Sequence, residues 1–483
     1  MSFGLVSRVL GNLLLIEATV LSIPLAVSLH YREQQSMMAF LLSMGIAGLF
    51  GLFLSNIQVK SSRLRVREAL LIVTLGWVVA SIFGSLPFVL SGSVASFVDG
   101  FFETVSGLTT TGFTIVNHVE SLSKGIMLWR SLLHWLGGMG ILVLSLAILP
   151  TLGVAGFQVF RAESPGPAPE KFTPRVAATS KILYTIYVTF TIVQILVMHV
   201  AGLSWFDSFL LSFSTVGTGG FAPYNDSLAR YSSNNLLFYS IAVGMILSGV
   251  NFSLYYDLGK RRWKQVINNA ELRLYLAILA VSVLAIALNL YRTVYTSGAE
   301  TLKQALFHVS SVMTTTGFSA TDFDLWPSFS KGILFALMFV GGSAGSTSGS
   351  VKVIRLLVAS KVVKREIAKT LHPQVATPIV INGRVVKSEV VQGVVSFYLL
   401  YFAVFIVGSL LISLEGLDLF SSMGAVAASL GNIGLGFGQV GPTGSFALFS
   451  PVGKLFLSFL MLLGRLELFT LLAVLNPRFW REY

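Results

Sequence analysis

Four times along this chain a short apolar stretch runs into a glycine-bearing turn, and each time a longer apolar stretch lies on either side. The turns read Leu108–Thr109–Thr110–Thr111–Gly112–Phe113, Val216–Gly217–Thr218–Gly219–Gly220–Phe221, Met313–Thr314–Thr315–Thr316–Gly317–Phe318 and Gly431–Asn432–Ile433–Gly434–Leu435. A repeat of this kind means one supersecondary unit used four times, and units that each bury only part of their surface are stable when packed against one another. The four turns are therefore expected to meet around one axis.

The solvent for such an assembly follows from composition. Apolar residues make up 54% of the 483, charged residues only 11%, and mean hydropathy is +0.79. Apolar runs long enough to span a bilayer recur throughout, so the fold class is an all-α integral membrane protein. A helix rising about 1.5 Å per residue needs roughly 20 apolar residues to cross the hydrocarbon. On that length, spans are expected near 9–30, 36–56, 68–90, 127–150, 180–202, 236–256, 273–294, 331–356, 391–413 and 452–475. The first two form an extra N-terminal hairpin over 1–60, in which Glu17 and the lack of a small-residue cleavage pattern argue against a signal peptide. The remaining eight pair into four parallel units, over 61–155, 156–260, 261–372 and 373–483. Between the members of each pair lies a short helix, expected near 99–109, 206–215, 302–312 and 419–430. Each is too short to cross and too apolar for a free loop, and re-enters the membrane from one side.

Charge gives the orientation. The formal charge of +12 could point to a nucleic-acid partner, but the basic residues gather in alternate linkers instead. These linkers hold Lys60, Arg63, Arg65 and Arg67; Arg161, Lys171, Arg175 and Lys181; Lys260, Arg261, Arg262, Lys264 and Arg273; and Lys361, Lys364, Arg365, Lys369, Arg384 and Lys387. By the positive-inside rule they face the cytoplasm. The turns lie on the opposite side with Asp99, Glu103, Glu120, Asp207, Asp226, Glu300, Asp322, Asp324, Glu415 and Asp418. These carboxylates either gather cations in an outer vestibule or simply remain where basic residues are excluded.

Nonhelical backbone at membrane depth is tolerated only where protein or a water-filled path satisfies it. Glycine permits backbone angles that aim successive carbonyls the same way, and four such loops can replace the hydration shell of a monovalent cation. The expected ligand set is Thr110, Thr111 and Gly112; Thr218, Gly219 and Gly220; Thr315, Thr316 and Gly317; and Asn432, Ile433 and Gly434. Phe113, Phe221, Phe318 and Leu435 are expected to wedge behind the turns. The short helices would aim the negative ends of their dipoles at the axis, favouring a cation. No acidic residue lies within the turns, which argues against a divalent site. The chain has no cysteine and six histidines, so neither a disulfide framework nor a thiolate metal site is possible.

The eighth span carries Gly341, Gly342, Ser343, Ala344, Gly345, Ser346, Thr347, Ser348, Gly349 and Ser350 in its middle. Such a run is a poor helix and cannot be lipid-exposed if unwound, so it is read either as a movable constriction or as a close-packing surface of small residues. Arg465 lies deep in the last span, where a charge costs at least about 2.5 kcal/mol. It is expected to face inward, either bonding the 341–350 segment as a barrier or neutralising an acid such as Glu467. Lys352 and Arg355 are expected to be surface anchors.

The unit of span, re-entrant helix, glycine turn and span, repeated four times, resembles the Trk/Ktr/HKT superfamily of potassium transporters. The ten-span layout is similar to its TrkH/TrkG branch, from Gly84–Ser85–Leu86–Pro87–Phe88 to Gly464–Arg465–Leu466–Glu467. The resemblance implies that Gly112, Gly220, Gly317 and Gly434 are filter glycines, with glycine rather than serine at 112 leaning toward K+ over sodium. It also implies an intramembrane gating loop at 341–350 beside Arg465, and a homodimer in the bacterial inner membrane with cytoplasmic termini. The implied partner is a cytoplasmic, TrkA-like nucleotide-binding subunit. No nucleotide motif occurs on this chain itself, no nucleic-acid partner is expected, and the chain is read as a non-enzyme. Passive flow and symport with a proton or sodium ion both remain compatible with these residues, as do a sodium-permeable channel, a secondary carrier and a membrane scaffold. A carrier built from inverted halves fits the parallel units less well, and a scaffold leaves the turns unexplained.

Overall fold

The computed structural model of the chain describes residues 1–59, 65–140, 176–372 and 378–481. The elements are almost entirely helical. The strands among the described residues are Val380–Ile381 and Arg384–Val385, an antiparallel hairpin pairing Val380 with Val385 and Ile381 with Arg384. Among the described residues, six helices are long and apolar enough to cross a membrane: Phe3–His30, Gln34–Ser55, Val66–Leu90, Ser180–Val200, Ala270–Leu290 and Ser388–Ser413. Two bent pairs bring the number to eight. The two further expected spans correspond to Lys124–Gly138, which runs toward the undescribed 141–175, and to the broken pair Ser328–Leu337 and Val353–Leu371. Arg161, Lys171, Arg175, Lys60 and Arg63 lie outside the described residues.

Phe3–Val20 packs along Gln34–Ser55 and Val66–Gly84, which seats the N-terminal hairpin against the first unit. The close approach has a visible cause at Gly11, where a Cβ would strike the backbone of Gly51 and Ser55.

Four short helices, Phe97–Leu108, Trp205–Gly217, Gly298–Met313 and Leu419–Gly431, fall where the short apolar stretches were expected. Each begins at a polar cap. Ser96 accepts from the Asp99 amide, Ser204 from Asp207, Ser297 from Glu300, and Asp418 from Phe420 and Ser421. Such caps satisfy amides that have no partner within the helix, and the acid in the first turn of the first three, like Asp418 at the cap of the fourth, complements the helix dipole.

These caps revise the vestibule reading of the outer acids. Asp99 also pairs with Lys454 at 2.6 Å, Glu300 with Lys303 at 2.7 Å, and Arg230 spans Asp226 at 3.0 Å and Glu120 at 3.6 Å. Glu415 takes the amide and hydroxyl of Ser450 at the start of the last span. Much of the acidic character of this side is thus spent on capping and pairing.

The second span of each later unit is broken rather than continuous. Asn235–Ser248 and Phe252–Gly259 meet at 93°, Pro451–Arg465 and Phe469–Leu475 at 118°, and residues 338–352 between Ser328–Leu337 and Val353–Leu371 are nonhelical. A break was expected only within 331–356; the spans expected at 236–256 and 452–475 are each two helices. The second of those breaks contains Glu467 and Leu468 with φ of 54° and 57°, backbone that L side chains adopt only at a cost of roughly 1–3 kcal/mol.

Candidate functional site

The four turns share a local design. A left-handed residue leaves each short helix at Thr110 (φ 59°), Thr218 (φ 55°), Thr315 (φ 58°) and Asn432 (φ 52°). Two residues on, Gly112, Gly220 and Gly317 again have positive φ, at 90°, 84° and 84°. Gly434 does not share this conformation, so the fourth turn departs from the others in backbone as well as in sequence.

Backbone bonds fix each turn under its helix. The amides of Thr111, Gly219, Thr316 and Ile433 donate to the carbonyls five residues earlier, of Ser106, Ser214, Ser311 and Ala428, at 2.8, 2.8, 2.9 and 2.9 Å. In the first and third units the same serine reaches forward with its hydroxyl. Ser106 Oγ donates to the Phe113 carbonyl at 2.7 Å and Ser311 Oγ to the Phe318 carbonyl at 2.6 Å. In those units Thr109 and Thr314 also hold Thr111 and Thr316, hydroxyl to hydroxyl, at 2.8 and 2.7 Å.

The second unit has glycine at the positions of these supporting threonines, Gly217 and Gly219. The space is filled from another helix. A Cβ on Gly219 would overlap the His134 imidazole, which is fully buried, lies 3.3 Å from Ser214 Oγ and stacks on Phe221 at 4.1 Å between centroids. His134 was not singled out from sequence; the missing threonines were the available signal that another side chain supports this turn.

The turns come together as a closed ring. A Cβ on Gly112 would overlap the Gly219 carbonyl oxygen, one on Gly220 the Thr316 carbonyl oxygen, and one on Gly317 the Gly434 amide nitrogen. At Gly434 the nearest atom is the Thr111 carbonyl oxygen, 3.0 Å from where a Cβ would lie, which returns the circle to the first unit. Asn432 adds a side-chain link, donating from Nδ2 to Thr111 Oγ1 at 3.1 Å and to the Met461 carbonyl at 2.9 Å. All twelve expected ligand residues thus lie on adjoining turns. Phe113, Phe221, Phe318 and Leu435 are buried behind them, and Phe113 stacks on Phe446 at 3.6 Å.

Behind the first turn, Arg130 and Glu103 form a buried ion pair at 2.8 Å. The Glu103 carboxylate also accepts from Thr114 Oγ1 and the Ile115 amide, and the guanidinium lies 4.1 Å over the Phe221 ring of the next unit. The pair therefore ties a short helix, the limb after its turn and a neighbouring unit together. Farther out, Asp324 accepts the Gly438 amide at 2.9 Å between the third and fourth units. Burial raises the Asp324 carboxyl against that bond, with Asp322 adding to the rise, whereas the hydroxyl and amide of Ser421 hold Asp418 below the usual carboxylate range.

Beneath the ring lies the 341–350 segment, whose Gly341–Ser343 and Ser346–Gly349 are buried. Its bonds reach the second, third and fourth units directly, and Arg465 extends them to the first. The Ser343 amide donates to the Gly249 carbonyl at 2.8 Å, Thr347 Oγ1 to the Ser248 carbonyl at 3.2 Å, and Ser350 Oγ to the Met338 carbonyl at 2.6 Å. The Gly349 amide donates to Thr315 Oγ1 at 2.7 Å. Arg465 donates to the Thr347 carbonyl at 3.2 Å, to the Gly138 carbonyl at 3.0 Å and to the Gly137 carbonyl. The Gly137 and Gly138 carbonyls end Lys124–Gly138 of the first unit and the Ser248 carbonyl ends Asn235–Ser248 of the second, where carbonyls of the last turn have no donor within the helix.

Arg465 bonds the segment, as one of its two sequence readings expects, and Glu467 pairs with Arg355 at 2.5 Å. Lys352 and Arg355 are not surface anchors: they are 2% and 6% exposed, with Lys352 Nζ on the Ser348 carbonyl and Arg355 over the Phe397 ring. A cavity of about 1140 Å³ opens on this side, bordered by Asn251, Glu271, Gly345, Lys352, Asn432 and Arg465.

A family model described as "TrkH: Cation transport protein" matches residues 36–480. The Trk system potassium uptake protein TrkH of Escherichia coli is 38% identical over 489 residues, covering all of both chains. The potassium uptake protein TrkG of the same organism is 32% identical over 465 residues, 95% of each chain. The crystal structure of the potassium transporter TrkH from Vibrio parahaemolyticus superposes with a TM-score of 0.89 at 34% identity, again covering both chains fully.

Proposed function

Because this chain belongs to the TrkH family of cation transport proteins, we propose that it takes up potassium across a bacterial inner membrane through the ring of four turns. It is a multi-pass membrane transporter and not an enzyme. The four units, taken as 61–155, 156–260, 261–372 and 373–483, each supply one turn to the path. The observation that carries this reading is the closure of the ring, in which the backbone at each glycine abuts the next turn.

A potassium ion sheds water at the ring and takes oxygens from Thr110 to Gly112, Thr218 to Gly220, Thr315 to Gly317 and Asn432 to Gly434 in exchange. The C-terminal ends of the four short helices add a negative potential without a fixed charge, so the ion is held weakly enough to leave. The outer caps and ion pairs keep the short helices in place rather than bind the ion.

The 341–350 segment is the gate and Arg465 its lock. While the guanidinium spans Thr347, Gly137 and Gly138, it closes the way below the ring by bulk and repels a cation by charge. Opening requires those bonds to be exchanged for others. The basic linkers lie in the cytoplasm, as do both termini. A homodimer of this chain receives a separate nucleotide-binding subunit of the TrkA kind on that face, where Trp263 and Ile267 are exposed among Lys260, Arg261, Arg262 and Lys264. The relatives' names, which place them in a Trk system, support a multicomponent arrangement.

Flux of potassium and sodium into liposomes holding the purified chain tests this reading. Potassium entry well above sodium entry, and a higher basal rate in Arg465→Ala, are expected. Equal entry of both ions favours a sodium-permeable pore of the same fold, and saturable flux of an organic solute favours a carrier.

A further inference from the structure

Glu271 stands in the first turn of Ala270–Leu290, at the end next to the basic linker 257–269, and is 7% exposed. One oxygen of its carboxylate accepts two backbone amides, one inside the break and one just past it: Ala344, within the 341–350 segment, at 2.7 Å, and Ile354, in the first turn of Val353–Leu371, at 3.1 Å. The first turn of a helix has amides without intrahelical partners, and a carboxylate there is favoured by both hydrogen bonding and the dipole. Here that carboxylate comes from a different span and holds the nonhelical segment in the same grip.

We propose that Glu271 is the latch of the gate, a positioning residue that pins the 341–350 segment to the start of Val353–Leu371 and is released when the segment moves. The proposal rests on reading 341–350 as the gate. Hydrogen bonds to an ionised acceptor are about twice as strong as neutral ones, so two of them on one oxygen bias the segment toward its seated state. The seated state is also held by Arg465, from another span, through Thr347. Ala344 and Thr347, both in the middle of the segment, are therefore gripped by an anion and a cation respectively.

The placement also gives the latch an input. The Ala270 amide, one residue before Glu271, donates to Asn382 Oδ1 at 2.9 Å, and Asn382 lies at the tip of the hairpin formed by Val380–Ile381 and Arg384–Val385. A ligand or partner that displaces the hairpin or the 257–269 linker acts directly on the turn that carries the carboxylate. Such an input shifts the gate only by its difference in affinity between the seated and released arrangements.

The test is basal potassium flux through the purified chain in liposomes, with no partner added, for Glu271→Gln and Glu271→Ala. Glu271→Ala is expected to raise flux by about tenfold, the change that a bias of about 1.4 kcal/mol produces, and Glu271→Gln by less because a neutral oxygen still accepts. The potassium-to-sodium ratio should stay at the parental value in both. Because the chain contains no cysteine, Ala344→Cys supplies a single thiol, and its modification by a water-soluble maleimide should be faster when combined with Glu271→Gln. A structural role alone would lower flux and folded yield without exposing that thiol. Unchanged or reduced flux together with unchanged labelling overturns the latch. If Arg465→Ala raises flux while the Glu271 variants do not, the gate stands and the latch falls; if neither raises it, the gate reading fails as well.

Discussion

The amide of Gly349 donates to the hydroxyl of Thr315 across 2.7 Å, so the segment beneath the ring bonds directly to one of the four turns above it. Glycine is required at that contact, because a Cβ at 349 would overlap the Gly431 carbonyl and come within 3.0 Å of Asn432 Cβ. Thr110 and Thr218 differ from Thr315 in donating their hydroxyls to the preceding carbonyls, at 2.6 and 2.7 Å. The third turn is thus the one whose side chain serves the segment.

Thr315→Val removes the acceptor while keeping the branched shape that the position already tolerates. It is expected to raise basal flux several-fold and to lower potassium-over-sodium selectivity, whereas Thr315→Ser should retain most of both. A net hydrogen bond is worth roughly 0.5–1.5 kcal/mol, which sets the size of the effect. Liposome flux with each ion measures it, and a parental basal rate in Thr315→Val contradicts the coupling.

His134→Ala should disturb the second turn more than the others, since Gly217 and Gly219 offer no hydroxyl to replace the lost imidazole. Selectivity is expected to fall with little change in folded yield. Thermal unfolding in detergent and ion flux together decide the point: loss of fold with selectivity intact in the surviving fraction would assign His134 to the core alone.

Glu103→Ala leaves Arg130 buried without its carboxylate. Breaking a buried pair in this way costs about 3–5 kcal/mol, so a marked drop in melting temperature in detergent is expected. Glu103→Gln, which still accepts from Thr114 and Ile115, should fall between the two. A parental melting temperature for Glu103→Ala would remove the pair from the scaffold of the ring.

Neutralising Arg261, Arg262 and Lys264 together is expected to weaken docking of the nucleotide-binding subunit at least tenfold while leaving the ion preference of the chain unchanged. Arg262 already pairs with Asp257 at 3.2 Å, so Arg261 and Lys264 should carry most of the loss. Co-purification at two salt concentrations reads the effect, since exposed charges are screened. A full nucleotide response from this chain without a partner contradicts the two-component arrangement.

The parts legible in sequence were those written as local pattern. Apolar length placed the spans, and the short helices ended where Thr110, Thr218, Thr315 and Asn432 begin the turns. What escaped was whatever depended on a distant neighbour. Glu103 and Glu300 looked like free outer charge because their partners, Arg130 and Lys303, are brought alongside only by helix packing and helical phase. Lys352 and Arg355 looked like membrane anchors because a basic residue following an apolar span ordinarily snorkels, whereas here the break at 338–352 turns them inward. The break at 466–468 was hidden for another reason: Leu466, Glu467 and Leu468 are ordinary helix formers, and the strained backbone there is imposed by surrounding contacts rather than by glycine or proline.

The ring of turns is tested most directly by placing serine at each of its four glycines and measuring potassium and sodium entry into liposomes. Gly112, Gly220 and Gly317 have positive φ and abut the next turn, whereas Gly434 lacks that φ and leaves 3.0 Å to its nearest neighbour. Serine at any of the first three should therefore reduce potassium-over-sodium selectivity by about tenfold or more, corresponding to about 1.4 kcal/mol of differential stabilisation, and Gly434→Ser should reduce it least. Parental selectivity in all four variants would contradict the assignment of these turns as the potassium filter.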